Sequence, residues 1–329
     1  MLTSSFRAIG ICVVMVACCL AQEAKYQYFR TGNSQDIVTK TQFGVALMGG
    51  GKDLDEAFRW MCERSGGGDF LVIRATGDDD YNPYIAKLCR QNSVATLVIP
   101  NREAAMDPRV ADMIQKAEAL FISGGDQSNY VKYWKGTPVQ DSINELIRRS
   151  VPVGGTSAGL AILGQFSFSA MNDSAYSKET LENPFNDRVT IATDFLKVPH
   201  LEEIITDTHY VKRDRQGRFL GFMARIVTDG TSREVRGIAM DERSSGLMTE
   251  DGNVRIVGPG KGAYFYHPEA APEVCAPGKP LTFRSIQVYK APRGASFDLK
   301  SWTGTGGQSY GLDVVDGRIT TTAPRGVLY

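Results

Sequence analysis

Short apolar segments and amphipathic segments alternate along the chain from residue 41 onward, and this alternation strongly limits the possible folds. The predicted strands lie at 43–48, 70–73, 95–99, 119–122 and 151–154, and the predicted helices at 54–64, 84–91, 108–117, 127–134 and 139–149. Continuously apolar strands that alternate with helices are typical of a parallel sheet covered on both faces. The sequence therefore predicts an α/β three-layer sandwich with a mostly parallel sheet.

The pattern changes beyond about residue 232, where short apolar pieces alternate with Gly, Asp and Asn. Residues 250–253 (EDGN) have the composition of a hairpin turn. We expect a β-rich part at 232–329 whose hairpins extend the edge of the same sheet. It would belong to a single catalytic domain at 41–329, preceded by a linker at 22–40.

The first residues have the features of a secretory signal peptide. Arg7 precedes an apolar run at 8–20, and small residues follow at 19–21. The run is too short for a membrane span, which needs about 20 residues. We expect a signal peptide at 1–21, an exported (periplasmic or extracellular) protein and no membrane span. A lipoprotein anchor at Cys18 is the alternative.

Charge and cysteine content exclude several classes of function. Lys plus Arg and Asp plus Glu number 37 each, so no nucleic acid partner is expected. Cys62, Cys89 and Cys275 follow the leader and allow at most one disulfide, although Cys62 and Cys89 could be buried thiols in predicted helices. No Cys or His cluster has the spacing of metal ligands, so we expect neither a metal nor a cofactor.

Residues 155–159 (GTSAG) have the form G-x-S-x-G between a predicted strand and a predicted helix. Small residues around Ser157 allow the sharp turn of a nucleophile elbow. A serine nucleophile needs a base, and the chain has three histidines. Only His209 lies at a strand-to-helix junction, as Ser157 does. We therefore predict Ser157 as the nucleophile and His209 as its base.

Sites in parallel sheets lie beyond the carboxyl ends of the strands. Two further groups of polar residues are therefore predicted to lie close to Ser157 and His209. Residues 124–127 (GGDQ) follow one strand, and their amides could face an oxyanion together with the Ala158 amide. Arg213, Arg215 and Arg218 follow His209. Cations at a helix N-terminus oppose the helix dipole, and guanidinium groups bind carboxylates, so this cluster suggests a carboxylate-bearing substrate.

These segments resemble the cyanophycinases, within the serine peptidase family that also includes the aspartyl dipeptidases. The resemblance is carried by residues 121–127 (FISGGDQ), 155–159 (GTSAG) and 207–218 (DTHYVKRDRQGR). It implies a class I glutamine amidotransferase-like sandwich and an acyl-enzyme on Ser157. Together with the leader, it implies an exported serine-type exopeptidase that releases β-Asp-Arg dipeptides from cyanophycin (multi-L-arginyl-poly-L-aspartate). The resemblance also implies a possible homodimer.

The resemblance also assigns roles to individual residues. Gly125 and Ala158 would supply the oxyanion hole, and substrate-binding positions would be occupied by Gln127, Asp207, Arg213, Arg215 and Arg218. The acid of the triad is expected at Asp173, with Glu179 and Glu182 as alternatives. An exported aspartyl or isoaspartyl peptidase and a non-catalytic binding protein remain the alternative functions, and both exo and endo cleavage fit these residues.

Overall fold

A computed structural model of the protein describes residues 25–329. The predicted signal peptide at 1–21 and Cys18 lie outside the described residues. The strands are β1 Gln27–Gly32, β2 Val45–Met48, β3 Asp69–Arg74, β4 Ser93–Val98, β5 Ala119–Ile122, β6 Val153–Thr156, β7 Phe166–Phe168, β8 Ile191–Thr193, β9 Ile204–Asp207, β10 Arg236–Met240, β11 Ser245–Met248, β12 Asn253–Val257, β13 Ala263–Pro268, β14 Phe283–Ala291, β15 Ser296–Asp298, β16 Thr303–Thr305, β17 Gln308–Val315 and β18 Arg318–Thr321.

The helices are α1 Asp55–Arg64, α2 Tyr81–Leu88, α3 Arg102–Ala105, α4 Pro108–Gln115, α5 Gln127–Trp134, α6 Pro138–Arg148, α7 Ala158–Ala161, α8 Ser177–Glu182 and α9 Gln216–Thr228. Their starts follow local capping rules. The Asp126 carboxylate accepts the Ser128 N–H at 2.8 Å before α5. Thr137 caps α6, and Pro138 occupies its first turn, where a missing N–H costs nothing.

The first sheet has the strand order β1-β4-β3-β5-β6-β2-β11-β12-β15-β16. Its five central strands, β4 to β2 in that order, run parallel. All five predicted strands lie there, and helices pack on both faces, so the predicted α/β class is confirmed. The segment 22–40 was predicted to be a linker, but it contains β1, which pairs antiparallel with β4.

A second sheet has the order β18-β17-β14-β13-β10-β9-β7-β8. The β-rich part at 232–329 is confirmed, but its strands divide between the two sheets. Strands β11, β12, β15 and β16 extend the first sheet, as expected. Strands β10, β13, β14, β17 and β18 instead join the second sheet, which the sequence pattern did not predict.

Three apolar clusters hold the layers together. One lies between α1, α2 and the first sheet, where Phe58 packs edge-on against Phe121. The central cluster joins the other face of that sheet to α4, α6, α7 and the second sheet, and includes Leu160 and Ile238. The third lies between the second sheet and α9. Full burial of a large apolar side chain stabilises by about 1.5–3 kcal/mol, so these clusters dominate the stability.

Cys62 and Cys89 form a disulfide that links α1 to the residue after α2, at a sequence separation of 27. Cys275 is a free, half-buried thiol. Within 25–329, no helix is long and apolar enough to cross a membrane.

Candidate active site

Ser157 lies in a sharp turn between β6 and α7, with φ +52° and ψ −116°. A non-glycine residue in such a conformation costs about 1–3 kcal/mol. The small neighbours are required: a Cβ on Gly155 would lie 2.5 Å from the Gly159 backbone, and one on Gly159 would lie 2.1 Å from the Ile122 oxygen. The backbone thus has the shape of a nucleophile elbow.

The backbone at the end of β2 accepts hydrogen bonds from both Ser157 and His209 and so fixes their relative position. The Ser157 N–H donates to the Met48 oxygen at 3.1 Å, and the His209 N–H donates to the Gly49 oxygen at 2.8 Å. Gly50 has φ +98°, and a Cβ there would lie 2.5 Å from His209 Cε1. Only glycine therefore fits beside the imidazole ring.

The side chains of Ser157, His209 and Glu242 form a continuous hydrogen-bonded line. Ser157 Oγ lies 2.6 Å from His209 Nε2, and His209 Nδ1 lies 2.7 Å from Glu242 Oε1. Because a carboxylate only accepts, Nδ1 carries the proton and Nε2 accepts from the serine hydroxyl. This is the geometry of a nucleophile, a base and an orienting acid.

The acid beside the histidine is Glu242, so the expectation for Asp173 was wrong. Asp173 is exposed, and its carboxylate accepts the N–H of Ser174. The alternatives also lie elsewhere: Glu179 pairs with Arg188 at 3.1 Å, and Glu182 lies 3.9 Å from Lys178.

Glu242 is brought to the histidine by the pairing of two strands that are distant in sequence. It stands two residues after β10, and β10 pairs in parallel with β9, which ends two residues before His209. Carboxyl ends of neighbouring parallel strands meet at one edge of a sheet. The three acids predicted from the sequence all lie between the serine and the histidine, whereas Glu242 follows the histidine by 33 residues.

Burial lowers the pKa of His209 below its ordinary value of 6.5. The hydrogen bond to Glu242 opposes this shift, while the positive charges of Arg213 and Arg215 lower the pKa further. The imidazole is therefore neutral at neutral pH, the state in which it can take a proton from Ser157.

The backbone around the serine offers amides for an oxyanion. Ala158 is the first residue of α7, so its N–H has no partner within the helix. The loop after β5 lies alongside, since a Cβ on Gly124 would be 3.5 Å from Ser157 Cβ. Gly125 follows with φ +149°, a conformation that L residues rarely adopt. Both predicted oxyanion residues thus belong to backbone segments that border Ser157.

Asp207 and Arg218 were expected to bind substrate, but they bind each other. Arg218 Nε donates to Asp207 Oδ2 at 2.8 Å, and Arg218 Nη2 donates to Oδ1 at 2.5 Å. Both side chains are buried, with exposed fractions of 2% for Arg218 and 3% for Asp207. The guanidinium lies over the rings of Phe168 and Phe222, which belong to β7 and α9. Direct contact of this pair with a substrate is therefore not available.

Burial would raise the pKa of Asp207, but the charges of Arg218 and Arg215 outweigh it and hold the pKa below its usual 3.8. Asp207 therefore stays ionised beneath the histidine, which it precedes by two residues. Arg215 Nη1 donates to the Thr208 oxygen at 2.9 Å and lies 3.4 Å from Asp207 Oδ1. Burial lowers the pKa of Arg215 to about 10, so it too remains charged.

Arg213 and Gln127 are the predicted binding residues that lie nearer to solvent. Arg213 is exposed, and within residues 25–329 its side chain makes neither a hydrogen bond nor an ion pair. Gln127 is half-buried, and its Nε2 donates to the Phe168 oxygen at 3.3 Å. Across the part of the chain that the structure describes, no group of three or more His, Cys, Asp or Glu side chains could hold a metal ion.

Comparison with known proteins adds a family to this geometry. The model of the family described as peptidase family S51 matches residues 46–242. The chain is similar to a cyanophycinase of Trichormus variabilis, with 26% identity over 211 residues, which are 63% of this chain and 65% of the relative. The match thus spans less than two thirds of that relative's length.

A cyanophycinase of Geminocystis herdmanii is 23% identical over 268 residues, which cover 76% of this chain and 89% of the relative. Among solved structures, a peptidase from an acI-B1 Actinobacterium aligns with a TM-score of 0.47 and 16% identity, over 67% of this chain and 89% of that one.

Proposed function

Because the chain belongs to peptidase family S51, we propose that it is an exported serine-type exopeptidase that hydrolyses cyanophycin to β-Asp-Arg dipeptides. The observation that carries the proposal is the line of contacts from Ser157 through His209 to Glu242, at 2.6 and 2.7 Å. The similar cyanophycinases support the choice of substrate.

In the proposed reaction, Ser157 Oγ attacks the scissile carbonyl carbon while His209 Nε2 takes the hydroxyl proton. The Gly125 and Ala158 amides stabilise the negative oxygen of the tetrahedral intermediate. His209 then gives the proton to the leaving amine, and an acyl-enzyme ester remains on Ser157. Water, deprotonated by the same imidazole, hydrolyses this ester and restores the serine. Glu242 holds the tautomer and stabilises the transient imidazolium.

Substrate binding is assigned to the cations that flank the histidine. Each unit of cyanophycin carries a free arginine carboxylate and a guanidinium group. Arg213 is exposed and free to bind a carboxylate, and Arg215 contributes a second positive charge beneath it. Asp207 and Arg218 act indirectly in this proposal, because their buried pair fixes the segment that leads to His209.

Export is supported by two independent features. Residues 1–21 have the composition of a signal peptide, and Cys62 is joined to Cys89 in a disulfide. Disulfides persist in oxidising compartments outside the cytosol. An exported enzyme also suits an insoluble polymer that cannot enter a cell.

The test is release of β-Asp-Arg dipeptide from purified cyanophycin, measured by chromatography for the wild type, Ser157→Ala and Ser296→Ala. Loss of the nucleophile should lower the rate by about 10⁴-fold or more. Ser296 lies in β15 and contacts Thr305, so its substitution should leave the rate unchanged. Undiminished activity of Ser157→Ala would disprove the mechanism.

Short aspartyl and isoaspartyl peptides distinguish the alternatives. If these are cleaved and the polymer is not, the protein is an aspartyl or isoaspartyl peptidase with the same catalytic residues. If neither is cleaved while the polymer binds, the protein is a non-catalytic binder, and the proposed reaction is wrong.

A further inference from the structure

The segment between His209 and α9 carries the base and two of the proposed binding cations, and we call residues 209–215 the histidine loop. Two of its non-glycine residues adopt the left-handed region, His209 at φ +48° and Asp214 at φ +47°. For an L residue this region is less favourable than the right-handed one, because Cβ approaches the following carbonyl oxygen. Contacts from outside the loop must therefore hold it in this shape.

Asp214 receives such contacts on its backbone and on its side chain. Its N–H donates to the Val211 oxygen within the loop at 3.1 Å, whereas its carbonyl accepts the hydroxyl of Ser177 from outside the loop. Its carboxylate accepts the Tyr329 hydroxyl, with an oxygen–oxygen distance of 2.7 Å. The last of these contacts comes from a residue that is far away in sequence.

The same Tyr329 oxygen also accepts the N–H of Gln216 at 3.0 Å. Gln216 is the first residue of α9, so this N–H has no partner within the helix. One hydroxyl group thus joins the end of the histidine loop to the start of the helix that follows it.

The ring of Tyr329 completes an aromatic layer under the loop. It packs edge-on against Tyr210, the neighbour of His209, with ring centres 5.7 Å apart. Tyr210 in turn shares a 2.6 Å contact with the hydroxyl of Tyr266. Gln216 Nε2 donates both to Tyr266 and to the Leu328 oxygen. Burial raises the pKa of Tyr329, so its hydroxyl keeps the proton that it donates to Asp214.

We propose that Tyr329 is a positioning residue that sets the placement of Arg213 and Arg215 for substrate binding. The inference rests on the proposed function. Tyr329 lies outside the matched family segment 46–242. Besides supplying Glu242, the β-rich part therefore contributes to the site by holding the end of the histidine loop through Tyr329.

Tyr329→Phe tests this, because it keeps the ring and removes only the hydroxyl. On short soluble segments of cyanophycin, KM should rise about three- to tenfold, the effect of losing part of one hydrogen bond to a charged group, and kcat should change less than about twofold. Tyr289→Phe is the matched control: its hydroxyl accepts the Gly307 N–H at 2.7 Å and makes no hydrogen bond to the loop. Its KM should equal that of the wild type.

A second single variant and a double-mutant cycle distinguish a positioning role of Tyr329 from a general loss of stability. Asp214→Asn weakens the same contact from the other side and should raise KM to a similar extent. Combining Tyr329→Phe with Arg213→Ala should raise KM less than the product of the two single effects, because both act on one interaction.

The inference is overturned if Tyr329→Phe and Asp214→Asn keep the wild-type KM while Arg213→Ala raises it; the proposed function then stands. A fall in kcat at constant KM in Tyr329→Phe, together with a lower melting temperature, would show a purely structural role and also overturn it. If Arg213→Ala and Ser157→Ala are both without effect, the proposed function and the inference fail together.

Discussion

Replacement of Glu242 by Gln tests the acid of the triad with little change in side-chain size. The structure places the Glu242 carboxylate 2.7 Å from His209 Nδ1, and the carboxylate is 24% exposed. When His209 takes the serine proton, the carboxylate faces an imidazolium. The variant keeps a hydrogen-bond acceptor in place but removes this attraction from the transition state.

The size of the effect follows from the charges and their surroundings. Two unit charges with centres about 4 Å apart attract by about 4 kcal/mol at an effective dielectric constant of about 20. A barrier raised by about 4 kcal/mol lowers kcat about 10³-fold. The partial exposure of Glu242 makes this an upper value, so a loss of about 10²- to 10³-fold is expected.

The assay is dipeptide release under saturating substrate, with Asp173→Asn as the matched control, because Asp173 is an exposed carboxylate that does not contact the imidazole. The control should stay within about twofold of the wild type. In Glu242→Gln the hydrogen bond that raises the pKa of His209 is weakened, so the acid limb of the pH profile should also move to lower pH. A near-wild-type rate for Glu242→Gln, or a large loss for Asp173→Asn, would refute the assignment.

Three further outcomes are expected. Arg218→Leu leaves the Asp207 charge buried and unpaired and should lower the free energy of unfolding by about 3–5 kcal/mol in urea titrations; a loss below about 1 kcal/mol would show that the pair is not structural. The kcat/KM of the wild type should fall at low pH as His209 is protonated, with an apparent pKa below 6.5. Arg213→Ala should raise that apparent pKa because it removes a positive charge near the imidazole. A downward shift of the apparent pKa would contradict this. Reducing the Cys62–Cys89 disulfide should lower the free energy of unfolding by about 3 kcal/mol, because the bond joins residues at a sequence separation of 27. Calorimetry with and without reductant measures the change. An unchanged melting temperature would argue against the bond.

The α/β class could be predicted because each central strand is apolar throughout and each intervening helix has one apolar face. Ser157 and His209 could be predicted because chemistry restricted the choice to a glycine-flanked serine between a predicted strand and a predicted helix, and to three histidines. Their contact at 2.6 Å agrees with the prediction that they act together.

The second sheet and the acid could not be obtained in this way, since both depend on pairing between distant segments. Short strands such as β10 read as hairpin pieces in sequence, and only the parallel pairing with β9 moves Glu242 next to His209. Arg218 was misassigned for a related reason. A guanidinium near a histidine suggests a ligand site, yet Arg218 and Phe222 are four residues apart and lie on the same buried face of α9.

The proposed catalytic pair joins the two sheets, because Ser157 follows β6 of the first sheet and His209 follows β9 of the second. Their relative position is set by the packing between the sheets and by the bonds from Met48 and Gly49. A misplacement of about 1 Å can cost about 10²-fold in rate. The catalytic rate is therefore sensitive to how the two sheets pack against each other. A core substitution such as one at the fully buried Ile238 should therefore lower the catalytic rate even in a chain that still melts as one cooperative unit.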